Sequence, residues 1–308
     1  MYDRVRLWLD RCKIAEAYTC IPYYLDSSKE QTDPDTGEVK IFGTLKGLDV
    51  NLYTGGIMID GSLTKYHNGG NNVEPLDRRG TAEAIEHLSD LLHCNIGGAK
   101  VTYMEFGTNF LMSHEVNEYL IRLGEMPWLQ RKESFGSLYY QGKGKKKPKV
   151  FTFYDKLSDA DAKGMEYPDN LRGQNLLRYE MRFKHRLPAL LKVAEVNAST
   201  LSEKAFYRYM VKLYRDYYFS IRKHSNKIDM TKIKTTPAKA AEGILGALVS
   251  MADPDMVKQL IERYEFEDAK SSTRLKERIS KAMNEANKGK DELIKELDDC
   301  VENCSAWI

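Results

Sequence analysis

The run NLLRYEMRFK, residues 175–184, constrains the fold more than any other stretch, because its apolar and charged side chains alternate. Successive side chains of a β-strand point to opposite faces of a sheet, whereas a helix would mix them on one surface. The apolar set is Leu177, Tyr179, Met181 and Phe183, and the charged set is Arg178, Glu180 and Arg182. We predict a strand whose charged face suits either a structural ion network or a site for a phosphodiester and a metal ion.

Strand-like and helical patterns elsewhere indicate the fold class. Within Gly136–Lys184, the runs SLYYQ and VFTFYDK precede the alternating strand, and the basic loop KGKKKPK separates them. The remaining predicted strands are Val5–Leu9, Phe42–Val50, Ile57–Lys65 and Lys100–Phe110, and the predicted helices are Thr81–Cys94 and the segment after Ser113. This order predicts an α+β fold with a central antiparallel sheet flanked by helices, which leave one face available to a ligand.

The pattern changes after Lys184, where aromatic and basic residues recur at helical spacing. We predict an α+β domain over residues 1–188 and a helical C-terminal region over residues 189–308. The polar, turn-rich segment Asp26–Glu38 is predicted to be a surface loop.

Composition limits the classes of partner and the compartment. The formal net charge is only +2 while 30% of the residues are charged, so a charged partner would be recognised by local clusters. Five cysteines without a CxxC spacing argue against a disulfide framework or a zinc site. No apolar run reaches the roughly 18 residues of a membrane span. We therefore expect a cytoplasmic protein with reduced thiols and no membrane partner.

A tyrosine pair adjoins the basic loop. Alternation places Tyr139 on the polar face of its strand and Tyr140 toward the core. A tyrosine on a sheet is ordinarily a packing residue. The lysines that follow favour a nucleic-acid backbone as the ligand of this surface; they are Lys143, Lys145, Lys146, Lys147 and Lys149.

Cleavage of a phosphodiester by a tyrosine requires a phenolate aimed at phosphorus and groups that neutralise the developing charge. Divalent cations such as Mg²⁺ or Mn²⁺ prefer oxygen ligands. The candidates are Glu105, Glu180 and Asp155, each at or near the end of a predicted strand. The six histidines form no HxH or HxxxH pair, so carboxylates would supply most of the ligands.

Five short blocks, in order and spacing, resemble a known family. They are GSLTKYHNGGN, KVTYMEFGTNF, SLYYQG, FYDK and LLRYEMRFK. Together they resemble the gene II/X class of phage and plasmid replication proteins, which are similar in turn to rolling-circle replication initiators. The resemblance covers roughly residues 42–223; each block is weak alone, and their order is the more specific feature.

The resemblance implies a metal-dependent tyrosine DNA nickase and ligase. Such an enzyme attacks one strand at an origin, stays linked to the 5′ phosphate and leaves a 3′ hydroxyl for a polymerase. The implied partners are single-stranded origin DNA and host replication proteins such as a helicase and a polymerase, with a homodimer left open. The implied DNA contacts are Lys65, Lys156, Arg178 and Arg182 together with the lysines of the basic loop.

Carried over residue by residue, the family pattern leaves one choice open. Ser137-Leu138-Tyr139 matches the family pattern that holds the nucleophile. If the family's following glycine is aligned with Gly142 instead, Tyr140 becomes the nucleophile, because Gly142 comes two residues after it. Tyr139 is preferred. Glu105 stands where the family more often has aspartate, and Tyr103 replaces an arginine. Three alternative functions remain: a relaxase of a mobile element, a non-catalytic DNA-binding replication regulator, and a structural protein whose tyrosines only pack.

Overall fold

One ten-stranded antiparallel sheet organises the chain. The computed structural model describes residues 1–144, 147–223, 273–278 and 292–304. The strands are β1 (Tyr2–Asp10), β2 (Ser27–Thr32), β3 (Val39–Leu45), β4 (Leu48–Tyr53), β5 (Gly56–Ser62), β6 (Lys100–Met112), β7 (Gln130–Ser134), β8 (Ser137–Gln141), β9 (Lys149–Asp155) and β10 (Asn175–Lys184). The labelled helices are α1 (Leu63–His67), α2 (Arg78–Leu92), α3 (Val116–Leu120), α4 (Lys156–Ala162), α5 (Leu187–Leu191), α6 (Lys204–Phe219) and α7 (Glu292–Asn303).

The sheet places strands from both ends of the α+β region side by side. Its order is β2-β3-β4-β5-β1-β6-β10-β9-β8-β7, so β6 lies between β1 and β10. Each pair of neighbours runs antiparallel. The predicted α+β class with a large antiparallel sheet is therefore confirmed.

Helices pack on one face of this sheet, which we call the core face. Phe153 stacks on Tyr179 with ring centroids 4.2 Å apart, and Tyr179 contacts Tyr214 of α6 at 4.2 Å. Every labelled helix except α4 contributes buried side chains to the same hydrophobic core. The alternation of β10 matches this arrangement, because Leu177, Tyr179, Met181 and Phe183 are all buried in that core.

Helix α6 shares the core of the sheet although it lies beyond residue 188. Residues 224–272 and 279–291 are outside the described part of the chain, so the division into 1–188 and 189–308 stays a prediction. None of the helices in the described ranges is long and apolar enough to span a bilayer.

The opposite face, which we call the polar face, carries the charged residues of β10. At one end it is covered by α4, whose Leu157 and Ala160 are buried but lie outside the main core. The segment after α4 reaches α1, because Lys65 Nζ lies 3.6 Å from Met165 Sδ. Together these elements bury the part of the polar face that carries Arg178 and Glu180, whereas Arg182 stays partly exposed.

The edges of the sheet differ from the sequence predictions. The prediction of a loop over Asp26–Glu38 is wrong, because β2 lies within it and pairs with β3. All six residues of β2 are exposed, so backbone pairing forms this strand without an apolar pattern. The predicted strand Phe42–Val50 is two strands, β3 and β4, which turn at Lys46-Gly47, where both residues have positive φ.

Candidate functional site

Three carboxylates converge at the centre of the polar face. Asp3 on β1, Glu105 on β6 and Glu180 on β10 each offer an oxygen, and these oxygens all lie within 4.8 Å of one another. We call these residues the carboxylate cluster. Gly107 lies opposite Glu180 in the register, and a Cβ there would be 2.9 Å from the Glu180 Cβ. The missing side chain leaves room for the Glu180 side chain.

Two arginines hold the cluster together. Arg178 donates from Nη2 to Asp3 Oδ2 at 2.6 Å and from Nε to Glu180 Oε2 at 2.9 Å. Arg182 Nε donates to Glu180 Oε1 and lies 3.3 Å from Glu105 Oε1. The Arg178 side chain is only 2% exposed, whereas that of Arg182 is 29% exposed. The cluster therefore opens to solvent on the side of Arg182.

Burial makes the ionisation of the cluster unequal. Burial, together with repulsion from Glu180, raises the pKa of Glu105 to about 7. Burial alone would also raise the pKa of Asp3, but Arg178 and hydrogen bonds from Ser62 and Asn72 hold it below its usual range. Glu105 therefore holds its negative charge less readily than an ordinary glutamate, whereas Asp3 holds its charge more firmly than an ordinary aspartate.

The donor set of the cluster fits a hard divalent cation. Carboxylate oxygens are the ligands that Mg²⁺ and Mn²⁺ prefer. Each carboxylate oxygen has two lone pairs, so the hydrogen bonds from Arg178 and Arg182 leave acceptor capacity on the cluster. A cation would also relieve the repulsion between Glu105 and Glu180. Asp3, Glu105 and Glu180 are the residues that would hold it.

Two tyrosine hydroxyls contact the cluster. Tyr103 donates to Glu105, and Tyr154 Oη lies 3.4 Å from Glu180 Oε2. Burial and the adjacent glutamates raise the pKa of both phenols above the ordinary value. Tyr103 and Tyr154 are consequently neutral hydrogen-bond donors to the cluster.

The two tyrosines of β8 have different environments. Tyr140 is fully buried, and its hydroxyl donates to the carbonyl oxygen of Gly124 at 2.8 Å. Tyr139 is partly exposed and lies opposite Thr152 of β9, which in turn lies opposite Glu180. Two strand spacings separate Tyr139 from Glu180, about 10 Å between backbones. Tyr139 is therefore the member of the pair on the polar face.

Asp155, predicted as a metal ligand, is not brought to the carboxylate cluster. It lies opposite Leu177, and its Oδ1 accepts from the backbone N–H groups of Leu157 at 2.9 Å and Ser158 at 3.1 Å. These bonds cap the N-terminus of α4. The third carboxylate of the cluster is Asp3 instead.

The predicted DNA contacts fall in several places. Arg178 and Arg182 lie in the cluster. Lys156 is buried, and burial together with Arg178 lowers its pKa to about 8. Lys149 Nζ lies 3.1 Å from Tyr217 Oη of α6, toward the core face.

The basic loop and α1 supply the other predicted contacts. Lys143 and Lys147 are exposed in the loop between β8 and β9, whereas Lys145 and Lys146 lie outside the described residues. Lys65 lies on α1 against Met165. Among the described residues of the basic loop and α1, Lys143 and Lys147 are therefore the exposed lysines.

Asp3 was missed because its strand does not alternate regularly. A register shift between Tyr2 and Val5 places Tyr2 against Phe106 in the core and Asp3 beside Arg178 on the polar face. Strict alternation would have placed Asp3 with Val5 in the core. The face on which Asp3 lies depends on how β1 pairs with β6, and the side-chain pattern of β1 alone does not contain that information.

Comparisons with known proteins add a weak structural likeness. Neither the protein-family models nor the curated proteins include a match to the chain. Among solved structures, the chain is similar to a rolling circle replication initiator protein from Geobacillus stearothermophilus. The TM-score is 0.42 and the identity 11%, over 75% of this chain and 89% of that chain. At this level the likeness assigns neither a fold family nor a function.

Proposed function

We propose that the chain nicks and rejoins single-stranded DNA at an origin to start rolling-circle replication of a phage or plasmid. The observation that carries the proposal is the convergence of Asp3, Glu105 and Glu180 with two arginines on the sheet face that also bears Tyr139. Phosphodiester transfer needs a nucleophile, charge neutralisation and alignment of the strand, and this face offers residues for each.

In the proposed reaction, the Tyr139 oxygen attacks a backbone phosphorus atom. A bond forms between phosphorus and the tyrosine oxygen, and the bond to the 3′ oxygen breaks. The phenol proton passes to water, and the departing 3′ oxygen takes up a proton. The product is a 5′-phosphotyrosine linkage with a free 3′ hydroxyl, and attack by such a hydroxyl reverses the step to rejoin the strand.

The side chains around Tyr139 divide the remaining tasks. Arg182, which is partly exposed, would contact the phosphate oxygens, while Arg178 keeps Asp3 and Glu180 in position. Exposed Lys143 and Lys147 would hold the flanking strand. A bound Mg²⁺ or Mn²⁺ would supply further neutralisation of charge at the phosphate. Host helicase and polymerase in the cytoplasm would use the exposed 3′ end.

The test is formation of a covalent adduct on single-stranded DNA from the element's own origin, labelled at its 3′ end. We expect a labelled protein band that resists denaturant, requires Mg²⁺ or Mn²⁺ and disappears with Tyr139→Phe. Tyr140→Phe is the matched control and should retain the adduct, because Tyr140 is buried against Gly124.

Three results would revise the proposal. Full adduct formation by Tyr139→Phe would exclude Tyr139 as nucleophile, and peptide mapping would then test Tyr103 and Tyr154. Salt-dependent origin binding without an adduct in any metal would identify a non-catalytic regulator. An adduct combined with neighbouring DNA-transfer genes would identify a relaxase.

A further inference from the structure

The polar face carries a row of aromatic rings beyond the carboxylate cluster. Trp8 of β1 and Tyr53 of β4 have ring centroids 6.0 Å apart, and Phe42 of β3 lies 6.3 Å from Tyr53. We call these three residues the aromatic row. Each is partly exposed, and none belongs to the hydrophobic core. The row therefore presents large aromatic surfaces to solvent on the face that also carries the charged residues.

The strand register places the row on the same face as the cluster. Trp8 lies opposite Met58, and Met58 opposite Asn51, which pairs in turn with Phe42. Trp8 is also fixed in orientation, because its indole N–H donates to Asp10 Oδ1 at 2.8 Å. Its polar atom is thus satisfied, and the ring is held without being enclosed by the core.

Two arginines separate the aromatic row from the carboxylate cluster. Arg4 and Arg6, which we call the arginine pair, both bind the buried carboxylate of Asp60, Arg4 Nε at 2.8 Å and Arg6 Nη2 at 2.6 Å. Their side chains remain 48% and 39% exposed, whereas that of Asp60 is 6% exposed. One buried carboxylate is thus shared by two guanidinium groups, and the exposed part of each remains within reach of a phosphate in solvent.

The arginine pair is continuous with the cluster. Arg6 lies opposite Tyr103 of β6, whose hydroxyl donates to Glu105. Arg4 forms hydrogen bonds with Asp60, and its charge is further stabilised by Glu105. A strand bound with one phosphate near Arg182 could therefore continue past Tyr103 to the arginine pair.

We propose that the arginine pair and the aromatic row form a binding track for single-stranded DNA flanking the phosphate to be cut. The phosphates contact Arg4 and Arg6, and unpaired bases stack on Trp8, Tyr53 and Phe42. Duplex DNA does not suit this surface, because its bases are already stacked on one another. The inference rests on the proposed function, because the track is defined relative to the phosphate to be cut. DNA binding by the track can nevertheless be measured without cleavage.

The first test measures binding of a labelled oligothymidylate in EDTA, where no metal-dependent cleavage occurs. Stacking on an aromatic side chain contributes about 1–3 kcal/mol per base, so Trp8→Ala should weaken binding about 5- to 150-fold. Trp8→Phe should retain most of the affinity. Trp128→Ala is the control, because Trp128 is 97% exposed and lies outside the row.

A second comparison separates bases from phosphates. On an abasic oligonucleotide of equal length, Trp8→Ala should have no effect, whereas Arg6→Gln should weaken binding of both oligonucleotides. Equal losses for Trp8→Ala on both would overturn the stacking assignment. Duplex DNA that binds the wild type as tightly as the single strand would do the same.

The fluorescence of Trp8 itself provides a readout that does not require the Trp8→Ala variant to fold. Trp128→Phe combined with Trp307→Phe leaves Trp8 as the remaining one of the three tryptophans. Saturating oligothymidylate should quench its fluorescence, and unchanged emission would refute the track. The adduct assay is judged separately: a normal adduct without quenching leaves the proposed function standing, and quenching without an adduct leaves the track standing.

Discussion

Two aspartates illustrate how one residue type acquires different roles in this chain. Asp3 is 7% exposed and binds a buried arginine, so its carboxylate is held among other charges. Asp155 accepts two backbone N–H groups at the start of a helix. Only Asp3 has its oxygen within 4.8 Å of the oxygens of Glu105 and Glu180. The environment therefore gives Asp155 a capping role and leaves Asp3 as the aspartate that would hold a cation in the proposed site.

This difference predicts that substitution of Asp3 affects metal binding, whereas substitution of Asp155 affects stability. Asp3→Asn should weaken Mn²⁺ binding at least about tenfold, because changes even to outer-shell partners of a metal reach that size. Asp155→Ala should leave Mn²⁺ affinity unchanged and lower the free energy of unfolding by about 1 kcal/mol, the usual cost of a lost cap. Calorimetric titration with Mn²⁺ and urea denaturation measure the two quantities.

A second variant guards against misfolding in that experiment. Asp3→Asn removes a charged partner of buried Arg178, which can itself destabilise the fold. Glu105→Gln, at a more exposed position, should weaken Mn²⁺ binding in the same way. Unchanged Mn²⁺ affinity in a folded Glu105→Gln protein would contradict the assignment of the carboxylate cluster.

Regular alternation decided which site residues could be predicted from the sequence. It placed Glu180 on the polar face and Tyr140 in the core, as the structure has them. Strict alternation would group Val101 with Tyr103 and Glu105, but Val101 is buried in the core. A register shift between Arg6 and Leu7 of β1 accounts for this difference. Such irregularities depend on the neighbouring strand, so one strand's pattern does not reveal them.

At the scale of elements, helix α7 is attached to the sheet region through polar contacts as well as apolar ones. Glu296 accepts from the backbone N–H and the hydroxyl of Ser113, both at 2.8 Å, and from the hydroxyl of Tyr119. Leu297 and Val301 of the same helix are buried in the core. Glu296 therefore connects α7 to Tyr119, near the end of α3, and to Ser113 in the turn before that helix.

Removing this connection should destabilise the protein measurably. Glu296→Ala should lower the free energy of unfolding by about 1–2 kcal/mol, because three hydrogen bonds to a charged group are lost. Glu302→Ala removes an ion pair with Arg215. Because the Glu302 side chain is 56% exposed, this loss should lower the free energy of unfolding by less than about 1 kcal/mol. Urea denaturation of both variants measures the two decreases in the free energy of unfolding. Equal decreases would contradict the expectation that Glu296→Ala is the more destabilising.

The sequence predicted the inner strands better than the outer ones. Strands β6, β8, β9 and β10 each turn apolar side chains toward the core at alternate positions, and this pattern identifies them in the sequence. Edge strands β2 and β7 contain no buried residue. Their positions depend on backbone hydrogen bonds to β3 and β8, which leave no mark on the side-chain pattern.

At the scale of the whole molecule, the distribution of charge matters more than its sum. The net charge of +2 provides little general attraction for DNA. The arginine pair and Arg182 instead place partly exposed guanidinium groups on one face, beside carboxylates that are largely buried. Affinity for DNA should therefore depend on where a charge is removed, and not only on how many are removed.

Salt dependence provides the measurement. For single strands, the slope of log K against log salt concentration is about −0.7 for each phosphate neutralised. Arg4→Gln should reduce the magnitude of the slope for oligothymidylate by about 0.7. Arg79→Gln changes the net charge equally, but Arg79 lies on α2 and pairs with Glu83, so the slope should not change. Equal changes in both variants would contradict a localised contact.

The separation of Asp3 and Arg178 by 175 positions has a consequence for the order of events during synthesis. The ribosome makes β1 first and β10 much later, and the strand between them, β6, pairs with both. A growing chain that has not reached Glu180 holds at most two of the three carboxylates. If the chain nicks DNA as proposed, this activity would begin only after β10 has paired with β6, and unfinished chains would not cut DNA.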